Sequence, residues 1–432
     1  MALSFIPHRN WLNLTGLSHW IQTWQSLDRI LLATVMVLSG IGILAIQSTY
    51  PEGSFWVQQL QMLGFSLLPC LGLARRPYTD ALVWHWGSYG LTLIALVVVL
   101  LFGTTSGGSE RWIVIAGVQI QPSELAKLGV ILTLSAILHH SPVKRFQDLW
   151  VPIAVVTPPW ILIFLQPNLG TALVFLAIVL VMLYWAGARL SWIILIISPG
   201  VGAILYGLYA SGESSYGLLG GWLLWCLGIG ILALVELPWG WLGSLIFSGL
   251  NLLSGQMGHL AWGLLKPYQQ KRLLIFMDPN QDPLGSGYHL IQSQIAIGSG
   301  GVWGKGWQQG SQTQLDFIPE QHTDFIFSAI GEEWGFVGTV AVLGLLWILC
   351  LRLILIAQSA KDNFGSLVAI GVFAMILFQS TINIGMTIGL APITGLPLPF
   401  VSYGRSALLT NFLALGIVES IYVHRQRANL FR

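Results

Sequence analysis

The apolar residues of this chain are gathered into twelve stretches, near 29–49, 54–73, 80–102, 122–140, 149–166, 169–187, 190–209, 217–236, 238–259, 334–356, 364–388 and 405–423. About 20 mostly apolar residues are what an α-helix needs to cross a bilayer. Only 8% of the 432 residues are charged, against roughly 25% in a soluble globular protein. The expected fold is therefore an all-α polytopic membrane protein. The pair 217–236 and 238–259 is rich in Gly and Trp and carries Glu236 between its halves. Two spans, or one span and a helix lying in the interface, are both open there.

Residues 1–28 read as a cytoplasmic interfacial segment. Trp11, Trp20 and Trp24 stand among polar residues, with no compact apolar core ahead of a small-residue cleavage site. Residues 29–432 then make a single transmembrane domain. A net charge of +2 without any run of like charge argues against a nucleic-acid partner or a polybasic lipid anchor. Cys70, Cys226 and Cys350 fall inside apolar runs, with neither disulfide nor metal spacing.

Cytoplasmic loops collect Lys and Arg. Counting spans alternately puts Arg9, Arg29, Arg75, Arg76, Lys144, Arg145, Arg189, Arg352, Lys361, Arg425, Arg427 and Arg432 on one side. Both termini are then expected in the cytoplasm. The remaining cations are Arg111, Lys127, Lys266, Lys271, Arg272, Lys305 and Arg405. Long loops translocate regardless of charge, which accounts for those in the outer segment 260–333. Arg111, Lys127 and Arg405 come from elsewhere and point to a shared anion site.

The outer segment ends in SQTQLDFIPEQHTDFIFSAIGEEWGFVG, Ser311 to Gly338, where Asp316, Glu320, Asp324, Glu332 and Glu333 crowd together. Glu332 and Glu333 read as the start of the next spanning helix, where acidic residues favour the helix dipole. An outer loop of this length without low complexity is usually functional. Within it, GSGGVWGKGW (298–307) matches neither nucleotide-binding glycine motif; a structural turn and a substrate loop carrying Lys305 stand level. Glu124 and Lys127 lie at i and i+3 on a helix opened by Pro122. Ionisable groups at such depth face a cavity or one another, so the pair is expected to line a groove. Asn168 is placed to cap the helix that follows it. INIGMTIGLAPITGLPLPFVSYGRSALL (382–409) breaks an apolar run with prolines and glycines. Irregular backbone at membrane depth lines a cavity or is covered by protein; here it would bring Ser402, Tyr403 and Arg405 to the outer site.

Together these residues resemble the SEDS family (shape, elongation, division and sporulation) of membrane glycosyltransferases that polymerise peptidoglycan. The motifs are RW at Arg111 and Trp112, QPSELAK (121–127), QPNLGTA (166–172), YQQKR (268–272), DPLGSGYHLIQSQIAIGSGG (282–301), FIPEQHTDFIFS (317–328), GEEWGFVG (331–338), NIG (383–385) and GLPLPFVSYG (395–404). The wording around Asp324 is closer to the elongation branch than to the division branch. The family's usual Asp is Asn168 here, and its usual Gly after SYG is Arg405. Family members have about ten spans, so 217–259 resembles an inserted helix pair.

The resemblance implies an inverting transfer of the lipid II disaccharide to a growing glycan strand, with loss of undecaprenyl pyrophosphate. It makes Asp324 the catalytic residue. Arg111, Trp112, Glu124, Lys127, Arg272, Lys305, His322, Ser402 and Arg405 become substrate-binding candidates. It also implies a divalent metal, Mg²⁺ or Mn²⁺, for which the sequence offers no ligand cage, and a class B penicillin-binding protein as transpeptidase partner. A lipid-precursor transporter would show much the same topology. Such a carrier expects its site near the midplane, whereas these ionisable groups gather on the outer side. A non-catalytic scaffold would leave the constellation without a purpose.

Overall fold

The computed structural model describes residues 26–106, 109–115, 118–210, 216–264, 270–272, 275–276, 287–315 and 317–427. The interfacial segment up to residue 25, Lys266, the turn-rich residues 277–286, Asp316 and Arg432 lie outside them. Each apolar stretch becomes a helix. These are α1 (Arg29–Thr49), α2 (Phe55–Arg75), α3 (Thr79–Phe102), α4 (Pro122–His140), α5 (Trp150–Leu165), α6 (Leu169–Trp185), α7 (Leu190–Ala210), α8 (Tyr216–Glu236) and α9 (Trp241–Leu264). Two short helices follow, α10 (Tyr288–Ser299) and α11 (Ser311–Gln314). The chain then returns through α12 (Ile326–Gln358), α13 (Asn363–Thr387) and α14 (Arg405–Arg427). Among the described residues, nine helices are long and apolar enough to cross a membrane, with α6 a shorter apolar one. The chain is a multi-pass membrane protein.

One end of the bundle is tied by charge. Asp28 caps α1, its carboxylate accepting from the N–H groups of Ile30 and Leu31 at 3.1 Å and from Arg352 Nε at 2.9 Å. The Asp28 N–H in turn donates to Glu419 at 3.0 Å, so α1, α12 and α14 share one buried node. Asp362 caps α13 through the Gly365 N–H at 2.8 Å and accepts from the Tyr78 hydroxyl at 2.8 Å. Arg189 pairs with Glu236 at 3.1 Å. Those cations all belong to the set expected to share a side.

Helices α8 and α9 both lie along α7, which makes them a packed hairpin rather than a span and an interfacial helix. Asn251 fastens it, donating to Ser198 Oγ at 2.9 Å and accepting from Trp225 Nε1 at 3.1 Å. Between α3 and α4 the bundle carries a small antiparallel sheet, β1 (Thr104–Ser106), β2 (Ser109–Ile115) and β3 (Val118–Ile120), in that order. The β-branched and aromatic run RWIVI suits a strand.

Glu332 and Glu333 do not start a helix. Helix α12 begins earlier, at Ile326, and breaks at Gly335, where φ is 66° and ψ −160°. The two glutamates sit just before this break, at the end of its first segment. The glycine-rich loop fills the break. Lys305 and Gly306 N–H groups donate to the carbonyls of Glu332 and Glu333 at 3.0 Å, and Phe336 and Val337 N–H groups donate to Gly301 and Val302 at 2.9 and 3.1 Å. Of the two readings of this loop, the structure favours the structural one.

Below that seam the buried Glu332 carboxylate accepts from the Gln312 and Thr313 N–H groups at 2.9 Å, from Thr313 Oγ1 at 2.6 Å and from Lys305 Nζ at 2.7 Å. Glu333 accepts from Ser48 of α1 at 2.5 Å. Helix α12, the loop 301–314 and α1 are thus one unit at this end.

Gly304 has φ +82°, and a Cβ there would collide with the Glu333 carbonyl. Gly304→Ala is expected to destabilise the protein by about 3 kcal/mol, through strain and overpacking together. Gly344, with nothing within 4 Å of its Cβ position, is the control: Gly344→Ala should leave the melting temperature unchanged or raised. Thermal unfolding of both variants in one detergent checks the contrast.

Candidate active site

Asp324 sits on a tight turn just ahead of α12. The Thr323 and Phe325 N–H groups both donate to the Glu320 carbonyl, at 3.1 and 3.4 Å. Three elements hold this turn. Buried Gln321 donates to the carbonyls of Thr49 at the end of α1 and of Thr313, both at 3.0 Å. The Tyr403 N–H donates to the His322 carbonyl at 2.9 Å. Asn383 of α13 donates to the Asp324 carbonyl at 2.8 Å and to the Leu396 carbonyl at 2.7 Å. One amide therefore joins the turn to the proline-rich loop.

That loop brings Gly395 under the carboxylate. A Cβ at Gly395 would lie 3.4 Å from Asp324 Oδ2 and 3.9 Å from Arg272 Nη1, so acid and guanidinium both border the space a side chain there would take. Arg272 also donates to the Ile393 carbonyl at 3.4 Å. Arg111, on β2, donates to the Pro167 carbonyl in the turn between α5 and α6.

Burial is the largest influence on the Asp324 carboxyl and pushes it up to about 6. Arg272 and Arg111 pull against that rise, while Glu320, on the same turn, adds to it. Burial, then Arg272, holds the His289 ring below its ordinary value; this ring stacks on Phe325 at 6.1 Å. A carboxyl poised near neutrality beside two guanidinium groups is equipped to take a proton while anionic oxygens bind alongside.

The other expected site residues divide. Trp112 is half-buried on β2, paired with Thr104. Glu124 and Lys127 do pair, at 2.7 Å, but Lys127 is 0% exposed and Glu124 2%. The expected groove is closed there, because α13 and α14 pack over α4. Lys305 is engaged by Glu332 and, at 2.6 Å, by Ser311. The Ser402 hydroxyl is taken by the Leu398 N–H at 2.8 Å. Arg405 reaches Gln58 at 2.7 Å and the Tyr403 hydroxyl at 3.1 Å. His322 stacks on Phe55. The charges acting on Asp324 are therefore Arg272, Glu320 and Arg111.

Sequence reasoning missed Asn383, Gly395 and Glu320 as parts of this site. The irregular run 382–409 was the signal for the first two, and it identified a loop without identifying its hydrogen-bond partner. Among the described residues, no group of three or more His, Cys, Asp or Glu is placed to hold a metal. Asp324 and Glu320 share one turn, which suits an ion bound by one or two carboxylates and otherwise by substrate oxygens.

A family model for cell cycle proteins, covering FtsW, RodA and SpoVE, matches residues 21–214 and 219–427. Peptidoglycan glycosyltransferase RodA of Treponema pallidum is 35% identical over 421 residues, spanning 91% of this chain and 97% of that relative. Peptidoglycan glycosyltransferase MrdB of Escherichia coli K12 is 32% identical over 402 residues, spanning 93% of this chain and 94% of the relative. Among solved structures, a chain of a peptidoglycan synthase complex that coordinates polymerization and crosslinking superposes with a TM-score of 0.68 at 32% identity, over 92% of this chain and 98% of that one. The rod shape determining protein RodA of Thermus thermophilus superposes with a TM-score of 0.60 at 27% identity, over 94% of this chain and 98% of its own.

A carboxyl raised from 3.8 to about 6 on folding stabilises the fold only below its unfolded value. That contribution is lost as pH rises through 6, and at pH 8 the charged group costs up to ~3 kcal/mol. Asp324→Asn is therefore expected to melt higher than the parent at pH 8, with the difference vanishing below pH 4. Melting curves at both pH values check the sign.

Proposed function

The chain belongs to the FtsW/RodA/SpoVE family of cell cycle proteins, and on that premise we propose that it is a peptidoglycan glycosyltransferase, polymerising lipid II during cell elongation. The observation that carries this reading is the Asp324 carboxylate bordering the same space as Arg272, in the field of Arg111. Two similar relatives are named peptidoglycan glycosyltransferase, which supports the reaction class. The positive-inside tendency supports cytoplasmic termini and an extracytoplasmic Asp324.

In this mechanism Arg111 and Arg272 bind the pyrophosphate of the lipid-linked donor. Asp324 accepts the proton of the acceptor sugar's hydroxyl as that oxygen bonds to the donor's anomeric carbon. The bond from that carbon to the phosphate oxygen breaks on the opposite face, and the electron pair departs on the pyrophosphate. The arginines stabilise that charge at low local dielectric. Configuration at the anomeric carbon inverts. Asn383 and Gly395 position the acid: one fixes the turn's backbone, and the other leaves room for carboxylate and guanidinium to face the same space. A Mg²⁺ or Mn²⁺, when bound, would supply Lewis-acid stabilisation of phosphate oxygens; Glu320 would hold it together with the substrate's own oxygens, leaving Asp324 as the base.

A class B penicillin-binding protein is the proposed partner, supported by the likeness to a synthase complex that joins polymerization to crosslinking. The transporter reading asks for a site near the midplane. Asp324 stands instead on a turn ahead of a helix, a turn tied through Gln321 to the end of α1.

Purified protein with its transpeptidase partner and lipid II should yield glycan chains. Asp324→Asn should lower the rate by ~10²–10⁴ or more, the worth of a positioned base, and full activity in that variant would sink the assignment. Parent activity is expected to fall as pH drops through about 6, since the base is then protonated. EDTA is expected to abolish chain formation and added Mg²⁺ or Mn²⁺ to restore it; undiminished synthesis in chelator would remove the metal from the proposal.

A further inference from the structure

The Asp324 turn has a second neighbourhood that the pyrophosphate does not use. His322, two residues before Asp324, lies flat on Phe55, with ring centroids 4.6 Å apart and planes 17° from parallel. Tyr403 packs edge-on to Phe55 at 5.1 Å and lies 5.7 Å from His322. Tyr50 closes the group, 5.5 Å from Phe55 and 5.9 Å from His322. None of the four rings is fully buried, and Tyr50 is 40% exposed. The rim of the cluster is polar. The Tyr403 hydroxyl donates to Gln58 at 2.7 Å, and Arg405 donates to the same amide oxygen.

Position matters as much as composition. Arg111 and Arg272 are fastened to the carbonyls of Pro167 and Ile393. The rings belong to the turn between α1 and α2, the start of α14 and the His322 side of the catalytic turn. The cations and the rings are thus held by different elements around the Asp324 turn.

Aromatic residues at helix ends commonly form an interfacial belt, facing lipid headgroups. These rings instead stack on one another and on the turn that carries the acid, with amide and guanidinium groups at their edge. Such a surface, apolar on its face and hydrogen-bonding at its rim, suits a saccharide ring. Pyranoses present C–H groups on their faces and hydroxyl or acetamido groups around their edges.

We propose that Tyr50, Phe55, His322 and Tyr403 form a glycan-binding platform, beside the Asp324 turn, that receives the acceptor strand. Its ligand class is a β-linked, N-acetylated oligosaccharide, without need of lipid or phosphate. The identity of the strand rests on the polymerase reading, whereas the binding site does not.

The test uses the full chain carrying Asp324→Asn, in nanodiscs of phosphatidylethanolamine and phosphatidylglycerol, titrated calorimetrically with chitotetraose. The probe has neither pyrophosphate nor lipid, so turnover plays no part. Saturable binding is expected. Phe55→Leu and Tyr50→Leu, added singly, should each weaken it about tenfold, the loss of one aromatic anchor. Arg272→Ala should leave it unchanged. Tyr50→Leu, at an exposed position, guards against a folding defect in the other variant. No saturable binding up to millimolar probe, or binding by both Leu variants as tight as by the protein carrying Asp324→Asn alone, would overturn the platform and leave the rings as interfacial packing. Tyr50-dependent binding, together with no glycan chains from the parent protein given lipid II, divalent metal and its transpeptidase partner, would remove the polymerase reading and uphold the platform.

Discussion

A broken helix leaves backbone groups that must find other hydrogen-bond partners, and the arrangement of this end of the bundle follows from how the break at Gly335 is closed. The loop 301–306 lays its own N–H and C=O groups against the carbonyls and amides on either side of the break. Only glycine permits that approach, since Cβ atoms at Gly304 or Gly335 would meet facing backbone. The buried Glu332 carboxylate then gathers Lys305 and the α11 N–H groups around the same seam. The first segment of α12 is held as a rigid stub, and the catalytic turn is its N-terminal continuation. A feature with no part in the chemistry therefore fixes where Asp324 stands.

On that stub the acid is balanced by opposed influences. Burial raises it, Glu320 raises it further, and Arg272 and Arg111 oppose both. Burial disfavours the charged form that accepts a proton, and the arginines favour it. A carboxylate in direct contact with arginine would be too weak a base. Gly395 leaves the space beside both groups free of a side chain. Asn383 acts through the backbone, holding the Asp324 and Leu396 carbonyls to one amide.

The helices were legible because apolar runs of spanning length admit few alternatives, and the twelve stretches correspond to twelve helices. Asp28 and Asp362 cap helices whose starts the apolar pattern placed within a residue or so. The site was legible only in part. Asp324 was singled out among five clustered carboxylates by resemblance, since all five share composition and neighbourhood. Glu332 and Glu333 were misread as a helix start because the break at Gly335 is a tertiary event, created by a loop thirty residues upstream. Lys127 carried the right residue type, but nothing in its i, i+3 spacing with Glu124 says whether the pair lines a groove or is shut inside. Gly395 and Asn383 contribute a missing side chain and a backbone hydrogen bond, and neither leaves a mark in charge or periodicity.

Two positions where this chain departs from the family wording now have physical readings. Asn168 accepts the Thr171 N–H at 3.4 Å and so caps α6. Being neutral, it adds no negative charge beside the Pro167 carbonyl that holds Arg111, and the cationic character of that side is kept for an anion. Arg405 spans from the start of α14 to Gln58 of α2, next to Gln59, which donates to the Ser402 carbonyl at 3.1 Å. A glycine there would leave Gln58 to Tyr403 alone. Deeper in the same seam Gly416 lies against the backbone of Cys70, so α2 and α14 are clamped at both levels. Since α2 begins with Phe55 and Tyr403 stands just before α14, Arg405 joins the two helix starts that carry these rings and stiffens the aromatic cluster beside the Asp324 turn.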